Sequence, residues 1–205
     1  MLIEQPPLLY RMLFPETVWR IHAREHAVYL TFDDGPIPEV TPWVLDTLDE
    51  HGVKATFFLV GENVERHPEL FDQIKSRGHS YGNHTMSHMR GARVTTKTYL
   101  HNVFRADELI HSNLFRPPHG LMRWGQSHVL RERFDIIMYD LVTRDYDRDL
   151  HPEVVLNNVK RFARNGSIIV FHDSIKAERN LRFALPRAIE WLKQQGYELL
   201  PIPMR

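Results

Sequence analysis

Cysteine is absent from the chain. That excludes disulfides, thiolate metal ligands and cysteine nucleophiles. It leaves the compartment open, because a domain of 205 residues can bury enough core without covalent cross-links. Net charge is missing too. Lys plus Arg and Asp plus Glu number 26 each, so no global field draws the protein to nucleic acid or to an anionic membrane surface. A nucleic-acid partner is not expected. No run approaches the ~20 apolar residues of a membrane-spanning helix. The first residues include Glu4, Pro6 and Pro7 rather than a basic stretch followed by an apolar core, which is not a secretory signal pattern. A cytoplasmic location is the default expectation, with the cell envelope left open. Internal repeats, linkers and low-complexity segments are also absent.

What is present is apolar sequence and histidine. The chain is 42% hydrophobic with 11 Phe, 7 Tyr and 4 Trp, enough for one sizeable core. Its 13 histidines are many for this length and are a ready supply of metal ligands and proton carriers.

One stretch organises the rest. Val28 to Phe32 is a β-branched and aromatic run, which predicts a buried strand. It stops at Asp33-Asp34-Gly35-Pro36, so two adjacent carboxylates stand at the strand's C-terminal edge, where α/β folds place reactive groups. Burying both is costly unless a cation or a proton separates their roles. Taken alone, the same four residues also suit a plain turn.

The remainder alternates. Helices are predicted over 38–50, 68–76, 95–111, 124–133, 152–164 and 181–195. Strands are predicted over 55–60, 79–83, 114–116, 134–139, 167–171 and 197–200. Strand–helix alternation argues for a parallel sheet with helical crossovers. Six or seven units fit an α/β barrel smaller than the eightfold one. Residues 1–24 read as an N-terminal extension whose Leu8, Leu9, Met12, Leu13, Phe14, Val18, Trp19 and Ile21 could pack over a barrel end, with His22 and His26 at the rim. Residues 25–205 read as the single domain.

Four more clusters sit at predicted strand ends. His84 and His88, at i and i+4, would share one face of a helical turn and reach one cation at ~2.0–2.1 Å. With an Asp from a neighbouring strand end they complete a two-His, one-carboxylate set with an open position, a catalytic rather than a structural pattern. An all-N/O set suits Zn²⁺, and also Co²⁺, Ni²⁺ or Fe²⁺. Arg116-Pro117-Pro118-His119-Gly120 fixes a backbone that would hold an N–H for an oxyanion, with Arg116 available to a carboxylate. Asp140 to Asp147 offers Asp145-Tyr146, beside acids that suit a solvated loop. Val170-Phe171-His172-Asp173 places a histidine after a buried strand, where it could protonate a leaving group.

In that order, these motifs resemble the NodB-homology polysaccharide deacetylases, carbohydrate esterase family 4, from about Val28 to the end of the chain. The resemblance implies a distorted (β/α)7 barrel with a divalent metal, usually zinc, that removes N- or O-acetyl groups from sugars such as peptidoglycan, chitin-type oligosaccharides or another GlcNAc polymer. By motif position, Asp33 would be the general base, and Asp34, His84 and His88 the metal ligands. Arg116 would orient Asp33, and Asp145 would hold Arg116. His172 would be the general acid. The His119 N–H would meet the oxyanion, with Pro118, Gly120 and Tyr146 on the substrate and Val170 lining the acetyl pocket. Three positions depart from the family pattern: His119 replaces a Tyr or Phe, Tyr146 a Trp, and Val142 an Asp. Two alternatives stay open: an amidohydrolase or deformylase acting on a small or lipid-linked substrate, and a non-catalytic glycan-binding relative.

Overall fold

A computed structural model describes residues 4–21 and 26–205; His22 lies outside them. In chain order the helices are α1 (Leu8–Leu13), α2 (Thr41–Glu50), α3 (Gly61–Arg66), α4 (Pro68–Ser76), α5 (Thr96–Ile110), α6 (Trp124–Leu130), α7 (Pro152–Phe162) and α8 (Glu178–Gln194). The strands are β1 (Ala27–Asp33), β2 (Thr56–Leu59), β3 (Ser80–Asn83), β4 (Leu114–Phe115), β5 (Asp135–Ile136), β6 (Leu141–Val142), β7 (Ile168–His172) and β8 (Glu198–Leu199).

Seven strands form one curled parallel sheet in the order β5-β4-β3-β2-β1-β7-β6, and β8 pairs in parallel with the start of β1. This is the distorted (β/α)7 barrel expected from the alternation. β1 lies at its centre and is buried along its whole length, as a strand covered on both faces must be. Its register sets the site: Asp33 stands level with Phe58 of β2 and His172 of β7. The core between sheet and helices takes Leu30, Phe32, Phe57 and Phe171 from the strands and Leu45, Leu181 and Ile189 from the helices. Helices α4 and α7 begin at prolines, where the missing N–H costs nothing. The side chain of Thr95 caps α5.

Three differences from the sequence reading have local causes. α3 was not anticipated. Six residues are too few for a periodic apolar stripe, and its first amides are satisfied by carbonyls of Thr85 and Met86. The strand predicted over 134–139 shrinks to β5, because Val18 of the N-terminal segment bonds Ile136 and Met138 there; the chain then re-enters the sheet as β6. The extension packs only in part: Phe14 and Trp19 are buried, whereas Leu8, Leu9, Met12 and Leu13 are 59–74% exposed. His26 is exposed and stacks on Tyr197.

β5 and β6 end the sheet without pairing to each other, and residues 4–21 lie against that open edge. Besides the Val18 pairing, the Val142 N–H donates to the Glu4 carbonyl at 2.8 Å. Arg11 reaches the buried carboxylate of Asp140 at 3.0 Å, Arg144 pairs with Glu4 at 2.8 Å, and the Tyr10 hydroxyl donates to the Gly120 carbonyl at 2.5 Å.

Candidate metal centre and active site

The β1 run ends where Asp34 takes a left-handed backbone (φ 86°) and Gly35-Pro36 a cis peptide. The turn is pinned from β7. The Asp173 N–H donates to the Asp33 carbonyl at 3.1 Å. The Asp173 carboxyl in turn accepts from the Gly35 N–H at 3.0 Å and the Thr41 hydroxyl at 2.6 Å. Burial pushes Asp173 up to about 8, against the pull of the Thr41 bond. The two adjacent carboxylates therefore diverge: Asp33 turns inward to Arg116, and Asp34 turns to the histidines.

His84 and His88 do not lie on a helical turn, as their i, i+4 spacing had suggested. Thr85 (φ 67°) and His88 (φ 51°) are left-handed, and the loop is held by side-chain caps instead: Asn83 on the Thr85 N–H, Thr85 on the Met89 N–H, and Asn102 on the Met86 N–H. The two rings still converge, with centroids 5.2 Å apart. Asp34, His84 and His88 each present a ligand atom within 4.8 Å of the others. Asp34 Oδ1 lies 3.2 Å from His88 Nε2 and 3.9 Å from His84 Nε2.

These residues fit a divalent cation on four grounds. Asp34 Oδ1 is buried with no hydrogen-bond partner of good geometry, an arrangement that costs stability unless something else meets that oxygen. His84 Nδ1 lies 2.8 Å from the Arg116 carbonyl, which fixes the ring's proton on Nδ1 and leaves the Nε2 lone pair facing Asp34. Burial lowers His84 to about 4, so the ring is neutral, as a ligand must be. Burial would raise Asp34, but His88 and His172 hold it well below the usual carboxylate range.

Arg116 is 1% exposed. Its Nη1 donates to Asp33 Oδ1 at 2.6 Å and to Thr31 at 2.8 Å; its Nη2 and Nε reach the Met138 and Ile137 carbonyls. The guanidinium also lies 4.0 Å from the Phe58 ring centre. Asp33 Oδ1 is thus engaged, while Oδ2 lies 4.0 Å from His84 Nε2, beside the candidate cation site.

Asp145 does not hold Arg116. It is turned to β7, where Oδ1 lies 2.8 Å from His172 Nδ1 and Oδ2 accepts the His172 N–H at 2.7 Å. Arg116 needs no second carboxylate, because backbone carbonyls and Thr31 satisfy it. Burial works against protonation of His172, but the Asp145 charge and hydrogen bond, with Asp34 and Asp33 behind them, outweigh it and raise the imidazole to about 9.

Asp33, Asp34, His84, His88, Arg116 and His172 open on one cavity of about 610 Å³. Its wall takes in His119, Gly120, Tyr146 and Val170. It also includes three residues the sequence reading left without a role there: Pro6, Pro7 and Tyr10, from the segment at the open sheet edge. Pro118, expected on the substrate, is buried and does not line the cavity, because it serves to build the turn that carries His119. No local pattern marks Tyr10, whose partner Gly120 is 110 positions away. Asp173 was readable as the neighbour of His172, but only the fold shows that it braces the opposite strand end.

The polysaccharide deacetylase family model matches residues 20–133, more than half of the chain. The chain belongs to the polysaccharide deacetylase family. Residues 134–205, which carry Asp145 and His172, lie beyond the matched span. As a polysaccharide deacetylase it is 34% identical to the peptidoglycan N-acetylglucosamine deacetylase of Bacillus cereus, across 86% of this chain and 66% of that protein. It therefore spans slightly less than two thirds of that relative. It is also 32% identical to the chitooligosaccharide deacetylase of a Bradyrhizobium species, across 86% of this chain and 89% of that one. A solved peptidoglycan N-acetylglucosamine deacetylase, bound to 4-naphthalen-1-yl-N-oxidanyl-benzamide, superposes with a TM-score of 0.87 at 33% identity, covering 92% of this chain and 91% of that one.

Proposed function

We propose that this polysaccharide deacetylase hydrolyses the acetamide of an N-acetylated sugar within a glycan, of the peptidoglycan or chitin-oligosaccharide kind on which its relatives are named to act. The observation that carries the reading is the convergence of Asp34, His84 and His88 beside a carboxylate oxygen left free by Arg116. Asp34, His84 and His88 would hold the cation, and the N₂O donor set suits Zn²⁺ ahead of Co²⁺, Ni²⁺ or Fe²⁺. A dication held there supplies Lewis acidity to the acetyl carbonyl and to water.

The chain's own groups do the rest. Arg116 holds Asp33 by Oδ1, so Oδ2 accepts the proton of the attacking water. Val170 closes the pocket around the acetyl methyl. His119, left-handed at φ 61° on a turn stiffened by Pro117 and Pro118, presents its N–H to the tetrahedral oxyanion. Asp145 accepts from His172 Nδ1 and leaves the Nε2 proton for the departing amine, giving a free amino sugar and acetate. Each positioned proton transfer is worth roughly 10²–10⁴-fold.

Metal removal tests the centre. Dialysis against a chelator is expected to abolish acetate release from N-acetylated oligosaccharides, with one equivalent of Zn²⁺ or Co²⁺ per chain restoring it. A purified protein that binds no dication, or that turns over equally without one, would refute the assignment.

The Asp145–His172 pair makes a second prediction. An acid that Asp145 raises above its ordinary value stays protonated through neutrality, so kcat/KM should hold there and fall on the alkaline side. Asp145→Asn removes the main groups that raise His172, and the alkaline limb should move down by at least about one pH unit. An unmoved limb would mean that another group is the acid. The pair also stabilises the fold: the folded imidazole lies above its ordinary 6.5, so its contribution is complete below pH 6.5 and fades as pH rises through about 9.

A further inference from the structure

The sequence departs from the family pattern at His119 and Tyr146, and in the structure each of these side chains holds a cation at the mouth of the cavity. Arg90 Nε donates to His119 Nε2 at 2.9 Å. The His119 ring packs edge-on against His88, with centroids 4.7 Å apart. On the other flank, Lys176 Nζ lies 5.4 Å from the Tyr146 ring centre, and Tyr146 packs edge-on against His172 at 5.0 Å. A hydrocarbon ring at 119 would offer Arg90 no acceptor nitrogen. The two exposed cations thus bracket the reacting groups, one through the loop that follows β3 and one through the loop that follows β7. Arg93 lines the same cavity.

The charge balance is one-sided. Among the described residues lining the cavity, Asp33 and Asp34 are the acids; the first is committed to Arg116 and the second faces the candidate ligands. Arg90 and Arg93 have no acid beside them among the lining residues, and the acid whose field reaches Lys176, Asp147, lies outside the lining and is already paired with Arg144. Arg90 uses Nε on His119, which leaves its two Nη groups as a fork suited to a planar oxyanion. A neutral oligosaccharide would leave these charges without complements.

We propose that the groove selects an acidic glycan, one carrying a carboxylate or phosphate on sugars flanking the acetamido sugar, with Arg90, Arg93 and Lys176 as the residues that read it. This rests on the deacetylase reading for its catalytic centre but not for its charge argument, and a binding measurement separates the two.

The test uses zinc-loaded Asp33→Asn protein and three tetrasaccharides: chitotetraose, its counterpart with lactyl carboxylates on alternate sugars, and its 6-O-phosphorylated counterpart. Each exposed ion pair contributes about threefold at low salt, so an acidic ligand should bind about tenfold more tightly than chitotetraose. The two acidic arms tell carboxylate from phosphate. The preference should collapse to about twofold or less in Arg90→Gln/Lys176→Gln, and also at about 0.3 M salt, where the screening length falls to roughly 6 Å. A merely structural role for these side chains would not respond to salt. Equal affinity for neutral and acidic ligands, or a preference that survives both salt and the double replacement, overturns the proposal. Acetate release by the wild-type holoenzyme is scored separately. Release without a charge preference sinks the acidic-glycan proposal alone, and a charge preference without release sinks the deacetylase reading alone.

Discussion

Asp33→Asn is expected to lower kcat for acetate release by about 10³-fold, near the middle of the range for a removed general base, while the protein still binds one dication per chain. Asparagine keeps an oxygen for Arg116 but cannot take a proton from water. It also leaves Arg116, 1% exposed, without the anion that faces it. Breaking a buried pair costs about 3–5 kcal/mol when one partner is deleted. The retained amide oxygen, Thr31 and the two carbonyls on the guanidinium should hold the loss to the lower end, a fall of several degrees in Tm. The companion Asp34→Asn should behave differently, losing metal and activity together. Metal content by elemental analysis, acetate assay and thermal melting distinguish the two. An Asp33→Asn protein that comes out metal-free would show that the roles of the two carboxylates have been assigned the wrong way round.

The second large effect is at Gly35. A Cβ placed there would stand 2.0 Å from Asp173 Oδ2 and 2.6 Å from its Cγ, closer than real side chains approach. The clash is with a buried carboxyl already held by the Gly35 N–H and the Thr41 hydroxyl. Gly35→Ala must push that group off its bonds or move the turn carrying Asp33 and Asp34. Either route strands a buried polar group, and a loss of about 3–5 kcal/mol is expected. Metal affinity should fall with it, because the candidate ligand Asp34 immediately precedes Gly35. Asp173→Ala removes the obstacle, so the double variant should be more stable than the sum of the singles implies. Urea unfolding of the four proteins measures this. Strict additivity would show that Asp173 is not what forbids a side chain at position 35.

Much of this centre can be read from residue order, and the reason is mechanical. Each motif follows an apolar run that must be a buried strand, and a parallel barrel brings strand ends to one rim. Asp33, His84, Arg116 and His172 are therefore expected together at that rim. What could not be read is which partner each finds across the rim. The resemblance assigns Asp145 to Arg116, and nothing in a separation of 27 positions marks His172 as its partner instead. The backbone of the histidine loop was likewise hidden. A spacing of four suits a helix, but Asn83, Thr85 and Asn102 offered local bonds that a helix would have left unused. Short elements failed for want of length: β5 and β6 have two residues each, too few to show alternation.

The segment along the open sheet edge has a practical consequence. It meets the barrel through buried Phe14 and Trp19, the Val18 pairing and the polar anchors Glu4 on Arg144 and Arg11 on Asp140, and contributes Pro6, Pro7 and Tyr10 to the cavity wall, while the loops carrying Asp34, His84 and His88 are built from other parts of the chain. Exchanging Pro6 and Pro7 for a relative's residues would therefore reshape one side of the groove while Asp34, His84 and His88 stay in place, a modular handle for changing which glycans the groove accepts.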